Sequence, residues 1–260
     1  MSDLSEMTIK EIEALLSEKN VSSELIAKCR ADGRKAVQTI LARYERGQKE
    51  RARVSALYEF ERQAYASGLT LVAGVDEAGR GPLAGPVSVA AVILPQECYL
   101  PHLNDSKKLS AKRREELYLA IKEQAIAIGT ALVDAATIDR VNILQATING
   151  MYEAILSLSV RPQQVLIDAV ELVDLDIPSR AIIQGDAKSA SIAAASIVAK
   201  VTRDHLMDEY DKEYPQYGFA KHKGYGTKEH IEAIHRFGVC PIHRQSFEPI
   251  RSLMQVPNLY

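Results

Sequence analysis

The sequence predicts an α/β protein, in which a sheet is covered by helices on both faces and follows a small helical extension. From residue 69 onward, short and almost wholly apolar runs such as LTLVAGVD and PVSVAAVIL alternate with segments of helical periodicity. Near-continuous apolar strands are typical of a sheet that is buried on both sides. Residues 1–68 show helical periodicity and no strand pattern. We therefore predict an extension over residues 1–68 and an α/β domain with a helical C-terminal part over residues 69–260.

The extension carries three helical patterns. Thr8 and Glu11 have the spacing of a capping box at the start of an apolar stripe. Ser22 or Ser23 is the expected start of a second helix. A longer amphipathic helix is predicted over residues 34–66, with Gly47 as a candidate break.

The α/β part begins with two strands. A glycine- and proline-rich link of about ten residues joins them and is short enough for the strands to pair as a hairpin. The later elements are predicted from alternating apolar and helical runs. In chain order they are a helix from Ser110 (SAKRREELYLAIKEQA), a strand (IAIGTALVD), a helix (ILQATINGMYEAILSL), a strand (QQVLIDAV), a strand with a turn (RAIIQGDAKS), a long Ala-rich helix (SASIAAASIVAKVTRDHLMDEYDKEY) and a helix over residues 227–237.

The composition excludes several classes of protein. Hydrophobic residues make up 47% of the 260 residues and charged residues 25%, which is ordinary for a globular chain. A net charge of −2 argues against a polybasic binder, and no apolar run is long enough to span a membrane. The N-terminus carries early acids and no secretory leader is visible. Cys29, Cys98 and Cys240 are odd in number and far apart, which favours reduced cysteines in a cytoplasmic protein.

Four acids follow predicted strands or turns. Asp76 and Glu77 end the first strand in VDEAGRGPLAGP, Asp168 ends a later strand, and Asp186 lies in the turn before the Ala-rich helix. A single aspartate at a strand end is commonly a turn former, and Arg80 or a lysine could neutralise the adjacent pair. Acids from several strand ends also build sites in α/β sheets, and oxygen donors without cysteine suit Mg²⁺ or Mn²⁺.

The glycines after the first strand do not form a nucleotide-binding fingerprint. Gly79, Gly81 and Gly85 have the spacing GxGxxxG instead of GxGxxG, and Pro82 removes a backbone donor. The sequence contains no GxxxxGK[ST] motif. Beside acids that hold a metal, this turn is better suited to approach a sugar-phosphate.

Several blocks of sequence, taken together and in order, resemble bacterial ribonuclease HII, the type 2 ribonuclease H. The resemblance covers residues 69–250 and implies a ribonuclease H-like mixed sheet in the catalytic domain. Ribonuclease HIII has a different triplet where Gly79–Gly81 stands and a strand-bearing extension, so it fits less well. The blocks are GVDEAGRGPLAGP, NDSKKLSAKRREEL, LIDA, GDAKSASIAAASIVAKVTRDHLM and YPQYGFAKHKGYGTKEH.

The resemblance implies roles for individual residues. The metal-binding and catalytic acids would be Asp76, Glu77, Asp168 and Asp186. The substrate-binding residues would be Gly79, Arg80, Gly81, Ser106, Lys107, Lys108 and Tyr225. Asp204 lies within the Ala-rich helix instead of before it, so we expect it to be either a structural residue or a residue that supports the metal-binding acids.

The activity implied by the resemblance is hydrolysis of the RNA strand of RNA/DNA hybrids and nicking of DNA duplexes 5′ of an embedded ribonucleotide. Two Mg²⁺ or Mn²⁺ ions would act with substrate bound and leave 3′-hydroxyl and 5′-phosphate ends. The expected partners are such hybrids and duplexes, with no membrane, and nothing in the sequence requires a dimer, so we expect a monomer. The alternative is a nucleic-acid-binding protein that has the same fold but does not cut its substrate. The presence of all four acids argues against it. The basic stretch over residues 34–53 is either a grip on duplex DNA or a solvated helix face.

Overall fold

The structure is a computed structural model that describes residues 4–18 and 20–255. Residues 1–3 and 19 of the predicted extension and residues 256–260 of the predicted catalytic domain lie outside the described residues. The contacts divide the chain into two compact units, Met1–Ser55 and Ala56–Tyr260. That the extension ends at residue 68 stays a prediction.

The first unit is helical, as the sequence predicts. It contains a short 3₁₀ helix (Leu4–Glu6) and the helices α1 (Ile9–Leu16), α2 (Ser23–Ala31) and most of α3 (Lys35–Ala56). The predicted capping box is present, because the backbone N–H of Thr8 donates to Glu11 Oε2 at 2.7 Å and that of Glu11 donates to Thr8 Oγ1 at 3.3 Å. Ile12, Cys29 and Val37 are fully buried at the centre of this unit.

The second unit is built on a five-stranded mixed sheet. Its strands lie in the order β3 (Ala127–Val133), β2 (Val87–Ile93), β1 (Val72–Ala78), β4 (Gln164–Asp168) and β5 (Ser179–Ile182). Strands β1 and β2 form the predicted antiparallel hairpin. β3 also pairs antiparallel with β2, whereas β4 pairs parallel with both β1 and β5.

Helices cover both faces of this sheet because successive strand residues point to opposite sides. Ala73 and Val75 pack in the core that contains Met151 of helix α7 (Ile143–Leu156), whereas Val72 packs with Ile192 of helix α8 (Ala190–Glu213). Two 3₁₀ helices, Ser106–Lys108 and Gly185–Ala187, lie in the connections. The helices are α4 (Glu59–Ala66), α5 (Ala111–Gln124), α6 (Ala135–Val141), α7 (Ile143–Leu156), α8 (Ala190–Glu213), α9 (Phe219–His222), α10 (Lys228–Phe237) and α11 (Ile250–Gln255).

The long helix predicted over residues 34–66 is two helices, and its break is not at Gly47. Helix α3 runs through Gly47, and the interruption falls at Leu57 and Tyr58. The carbonyl of Leu57 accepts the backbone N–H of Ala190 at 3.0 Å, and the Tyr58 hydroxyl donates to the Cys98 carbonyl at 2.7 Å. Tertiary hydrogen bonds therefore end the helix where local propensity would have tolerated its continuation.

Gly74 lets helix α8 lie directly against strand β1. A Cβ at Gly74 would stand 2.1 Å from the carbonyl carbon of Ser191, far inside contact distance. The absence of a side chain therefore permits the close approach of helix and strand. It brings the turn before α8 to the edge of the sheet where β1 and β4 end.

Candidate active site

Three acids meet at the carboxyl ends of the central strands. Asp76 lies in β1, Asp168 is the last residue of the parallel strand β4, and Asp186 lies in the 3₁₀ turn before α8. One carboxylate oxygen from each lies within 4.8 Å of those of the other two. The structure thus brings together three of the four acids that the sequence predicts for a metal centre.

Hydrogen bonds fix this arrangement. Asp168 Oδ1 accepts the backbone N–H of Gly185 at 2.7 Å, which ties the turn carrying Asp186 to the end of β4. Asp76 Oδ1 accepts the backbone N–H of Glu77 at 2.7 Å. Backbone N–H groups therefore help to hold the carboxylates of Asp76 and Asp168 in place.

The cluster carries more negative charge than its surroundings balance. Burial raises the pKa of Asp76 well above its ordinary value, and Glu77 and Asp168 raise it further. Burial also raises the pKa of Asp186, with the nearby charges of Asp105 and Asp168 adding to the effect. Since like charges this close disfavour ionisation, the site favours a bound cation.

Lys107 is the closest cation to Asp186 that the structure shows. Its Nζ lies 3.6 Å from Asp186 Oδ2, but 79% of the lysine side chain is exposed. Desolvation acts to lower the pKa of Lys107, yet four neighbouring carboxylates, Asp186 foremost, raise it. An exposed, mobile ammonium neutralises such a cluster only weakly.

Glu77 lies beside the three acids rather than among them. Arg80 Nη1 approaches Glu77 Oε1 at 3.4 Å, whereas Glu77 Oε2 is buried and has no hydrogen-bond partner among the described residues. Burial raises the pKa of Glu77, while Arg80 lowers it and Asp168 raises it. A buried carboxylate oxygen without a partner is costly unless a ligand engages it.

The four acids together offer only oxygen donors, and one of these oxygens is unused. Such a donor set fits a hard divalent cation such as Mg²⁺ or Mn²⁺.

The turn from Gly79 to Pro86, which we call the glycine turn, is held from behind by two buried arginines. Arg244 donates to the carbonyls of Gly79 at 2.6 Å and Arg80 at 2.8 Å. Arg203 donates to the carbonyls of Pro86 at 2.9 Å and Ala84 at 3.0 Å. With these carbonyls drawn inward, the backbone N–H groups of residues 79–81 have no acceptor among the described residues.

Gly79 makes this packing possible. Its φ is +93°, and a Cβ there would stand 2.1 Å from Arg203 Nε. Both the backbone conformation and the space therefore require glycine. The turn presents unused backbone donors next to the acid cluster.

The remaining residues predicted to contact substrate take different positions. Tyr225 is 45% exposed, and its Cε1 lies 3.9 Å from where a Cβ of Gly81 would stand. Ser106 is buried, and its hydroxyl lies 2.9 Å from that of Ser196. Lys108 is exposed, with Nζ 3.8 Å from Asp105 Oδ2. The structure thus places the two lysines and the tyrosine at the surface and Ser106 behind it.

Asp204 is separate from the acid cluster. Its carboxylate accepts from Lys200 Nζ at 2.7 Å, one turn earlier on α8. This ion pair accords with the structural role expected from the sequence.

Sequence reasoning missed four residues around the site. Asp105 acts on Asp186 electrostatically, Ser196 contacts Ser106 and hydrogen bonds to Asp76, and the two buried arginines hold the glycine turn. Asp105 precedes the lysines in NDSKK, so an acid near predicted phosphate contacts was the available signal. Nothing in the local sequence distinguishes Arg203 and Arg244 from exposed arginines.

Comparison with known proteins supplies the family. The family model described as ribonuclease HII matches residues 73–250, and the model of its N-terminal domain matches residues 8–65. The chain belongs to the ribonuclease HII family. It is 51% identical to ribonuclease HII of Geobacillus kaustophilus over 252 residues, which cover 95% of this chain and 96% of the relative. It is 52% identical to the enzyme of Enterococcus faecalis over 246 residues, covering 93% and 96%.

Solved structures agree with the fold. The ribonuclease H2 of Pyrococcus horikoshii superposes with a TM-score of 0.59 at 27% identity, covering 70% of this chain and 96% of that one. A ribonuclease HIII crystallised with Mn²⁺ superposes with a TM-score of 0.54 at 17% identity, covering 74% and 71%, and shows the fold alone. The chain is therefore a nuclease and a hydrolase, and the activity of its family is endoribonuclease activity on RNA/DNA hybrids. Among the described residues, no helix combines the length and apolar character needed to cross a membrane.

Proposed function

We propose that the protein nicks DNA duplexes 5′ of embedded ribonucleotides, at the RNA–DNA junction, and so acts in removing ribonucleotides from DNA. The observation that carries this proposal is the juxtaposition of the acid cluster with the unused N–H groups of the glycine turn. A phosphate-cleaving centre and a backbone surface suited to a sugar lie side by side. The products would carry 3′-hydroxyl and 5′-phosphate ends.

Asp76, Glu77, Asp168 and Asp186 are the residues proposed to hold the metal. Their crowding and the free oxygen of Glu77 support this assignment. When bound, a pair of Mg²⁺ or Mn²⁺ ions supplies an activated water and stabilises the leaving oxygen. The backbone bonds to Asp76 and Asp168 preorganise the carboxylates, so little rearrangement is needed when substrate arrives.

The glycine turn is the proposed reader of the 2′-hydroxyl, the group that distinguishes RNA from DNA. The N–H groups of Gly79, Arg80 and Gly81 lack acceptors among the described residues, and two of these residues have no Cβ to block approach. A ribose hydroxyl that accepts from them gains hydrogen bonds that deoxyribose cannot form.

Tyr225 is proposed to stack on the sugar that follows the ribonucleotide. Its exposed ring lies next to Gly81, so it borders the place where the ribose would lie. A second 2′-hydroxyl at that position would meet the ring, which disfavours continuous RNA and favours the junction.

Lys107 and Lys108 are the proposed phosphate contacts, with Ser106 holding their short helix in place through Ser196. Such contacts bind the backbone regardless of sequence and weaken with salt. The expected partners are RNA/DNA hybrids and ribonucleotide-containing duplexes. We propose a monomer in the cytoplasm, where the three free and buried cysteines stay reduced.

The test is a nicking assay on a DNA duplex with one ribonucleotide, in Mg²⁺ or Mn²⁺. We expect a single nick on the 5′ side of the ribonucleotide, with ends that a DNA polymerase can extend from the 3′-hydroxyl. Asp76→Asn should abolish the nick, whereas Asp204→Asn should retain it because Asp204 pairs with Lys200 away from the cluster. Full activity in Asp76→Asn, or binding of the duplex without any cleavage by the unaltered protein, would contradict the proposal.

A further inference from the structure

One short segment contacts the glycine turn directly and is linked to Tyr225 through a second histidine. The segment over residues 240–244 lies after α10, and its last two residues are His243 and Arg244. Both side chains are buried, with exposures of 1% and 0%. Neither was singled out from the sequence.

His243 connects to Tyr225 through a chain of hydrogen bonds. The backbone N–H of Cys240 donates to His243 Nδ1 at 2.9 Å, so this nitrogen is the acceptor. The two Nε2 atoms of His243 and His230 lie 3.0 Å apart, and His230 Nδ1 lies 2.9 Å from the Tyr225 carbonyl. A carbonyl only accepts, so His230 carries its proton on Nδ1. The proton between the rings then belongs to His243, whose Nδ1 also lies 3.1 Å from the thiol of Cys240.

Burial keeps this chain neutral. Desolvation lowers the pKa of His230 and of His243 to about 4, with the neighbouring His222 contributing in the same direction. His222 stacks on His230 with ring centroids 4.4 Å apart. The imidazoles of His230 and His243 are therefore neutral at neutral pH, and the direction of the hydrogen bonds is fixed.

Arg244 connects the same segment to the glycine turn. Its guanidinium donates to the carbonyls of Gly79 and Arg80 and, through Nε at 2.9 Å, to that of Gly85. Burial lowers the pKa of Arg244 to about 9, so the group remains charged at neutral pH. Three charge-assisted bonds from one planar group set both the position and the orientation of the turn.

The residues that directly follow the segment are anchored to another helix. The carboxylate of Asp139 in α6 accepts the backbone N–H groups of Gln245 at 2.8 Å and Ser246 at 2.9 Å. A bridge between Ala84 and His243 adds a backbone connection to the glycine turn. The segment is therefore fixed in place and can position both the glycine turn and Tyr225.

We propose that His243 and Arg244 are positioning residues that set the distance between the glycine turn and Tyr225, and thereby the preference for an RNA–DNA junction over continuous RNA. The proposal rests on the proposed function. Neither residue touches the substrate in this assignment. Arg244 acts through the carbonyls of Gly79 and Arg80, and His243 acts through His230 on the carbonyl of Tyr225.

The experiment compares three variants of the full chain: Arg244→Lys, His230→Leu and His230→Asn. The measured quantity is the ratio of kcat/KM on a duplex with one ribonucleotide to kcat/KM on a continuous RNA/DNA hybrid. We expect Arg244→Lys and His230→Leu to lower this ratio about tenfold, since small displacements of positioning groups cost that much. His230→Asn should restore only part of it, because the asparagine Nδ2 can donate to the Tyr225 carbonyl as Nδ1 does but leaves the Nε2–H of His243 without its acceptor.

The control is Ile234→Ala, which truncates a buried side chain of the same helix as His230 without removing a hydrogen bond of the chain. A merely structural role predicts that all variants lower both activities together and that the ratio follows thermal stability. An unchanged ratio in Arg244→Lys and His230→Leu, or an equal change in Ile234→Ala, would overturn the proposal.

A second readout separates this proposal from the proposed function. Amide hydrogen exchange in the absence of substrate should accelerate at Tyr225 and Thr227 in His230→Leu and at Leu83 and Gly85, the hydrogen-bonded amides of the glycine turn, in Arg244→Lys. It should accelerate at neither place in Ile234→Ala. If the unaltered protein fails to cut either substrate, the proposed function is wrong, and exchange alone then decides whether the segment holds the two features. Unchanged exchange would show that it does not.

Discussion

Asp76 is expected to destabilise the metal-free protein, although it supplies negative charge that a bound metal requires. Its carboxylate is 3% exposed, and burial together with Glu77 and Asp168 raises its pKa. Removing the charge should therefore stabilise the metal-free protein at neutral pH. We expect Asp76→Asn to raise stability by about 1 kcal/mol or more in a chelator while lowering nicking by about a hundredfold or more.

Thermal melts with and without Mg²⁺ test this prediction. The metal should raise the melting temperature of the unaltered protein and leave that of Asp76→Asn almost unchanged. Asp204→Asn is the matched control, because it removes a carboxylate that is paired and should gain no stability. A melting temperature for Asp76→Asn below that of the unaltered protein in chelator would show that the cluster is not under electrostatic strain.

The residues of the site differ in how far the sequence could predict them. The acids follow strands whose ends meet at one edge of a parallel pair, so local pattern and topology together indicate Asp76 and Asp168. Arg244 contacts Gly79 across 165 residues of chain, and no local pattern encodes such a contact. Ser106 likewise reads as a surface residue in NDSKK, yet its hydroxyl is buried against Ser196.

Helix α8 begins on a buried carboxylate, and this element shows how the site is supported. Glu61 of α4 is fully buried, and its Oε1 accepts from Ser189 Oγ at 2.6 Å and from the backbone N–H of Ser191 at 2.9 Å. A negative charge at a helix N-terminus is favourable. We expect Glu61→Ala to destabilise the protein by about 2–4 kcal/mol, because it leaves buried donors without acceptors.

Urea denaturation of Glu61→Ala and Glu61→Gln separates the two contributions. Glutamine keeps an acceptor oxygen and loses the charge, so its cost should be about 1 kcal/mol. If glutamine is as destabilising as alanine, the charge rather than the hydrogen bonds stabilises the start of α8. If neither variant is destabilised, Glu61 does not support this helix.

The buried histidines should make the second unit sensitive to acid. The pKa of His230 and of His243 falls from an ordinary 6.5 to about 4. Between these values the unfolded chain binds protons that the folded chain excludes, so stability falls as the pH falls from 6.5 toward 4. Each histidine contributes a slope of at most about 1.4 kcal/mol per pH unit.

The free energy of unfolding of the unaltered protein and of His230→Asn, measured from pH 7 to pH 5, tests this prediction. Asparagine does not titrate, so the unaltered protein should lose stability more steeply than the variant. The comparison removes the opposite contribution of the buried carboxylates, which is common to both proteins. Parallel curves would show that the pKa of His230 is the same in the folded and the unfolded chain.

The elements themselves were predicted more completely than the site. Caps such as Thr8 with Glu11 and alternating apolar runs are local signals, and the structure contains the elements that they predict. The interruption at Leu57 and Tyr58 was placed wrongly at Gly47, since it depends on contacts with Cys98 and Ala190. Local sequence therefore predicts where helices form better than where tertiary contacts end them.

On the scale of the whole molecule, charge is distributed unevenly although the net charge is only −2. Lys35, Arg46 and Lys49 of α3 are exposed, and among the residues described none of the three forms an ion pair. Their spacings of eleven and fourteen residues are close to three and four helical turns, so they share one face. Other arginines of this unit are paired, as Arg30 is with Glu45.

We predict that this face of α3 binds duplex DNA. Replacing Lys35, Arg46 and Lys49 with alanine should weaken duplex binding in low salt. Each phosphate contact contributes about 0.9 to the slope of log affinity against log salt, so three contacts should reduce that slope by about 2.7. Fluorescence anisotropy of a labelled duplex over a series of salt concentrations measures both quantities.

The control for this prediction is the replacement of Lys10, Lys28 and Arg30 with alanine, which removes the same charge from other helices of the unit. Lys28 and Arg30 already pair with Glu24 and Glu45, so few phosphate contacts should be lost. If the salt slope falls in the α3 variant and not in the control, that face of α3 binds the duplex. If both variants reduce the salt slope equally, net charge alone governs affinity. If neither variant changes the slope from that of the unaltered protein, this face of α3 is a solvated face.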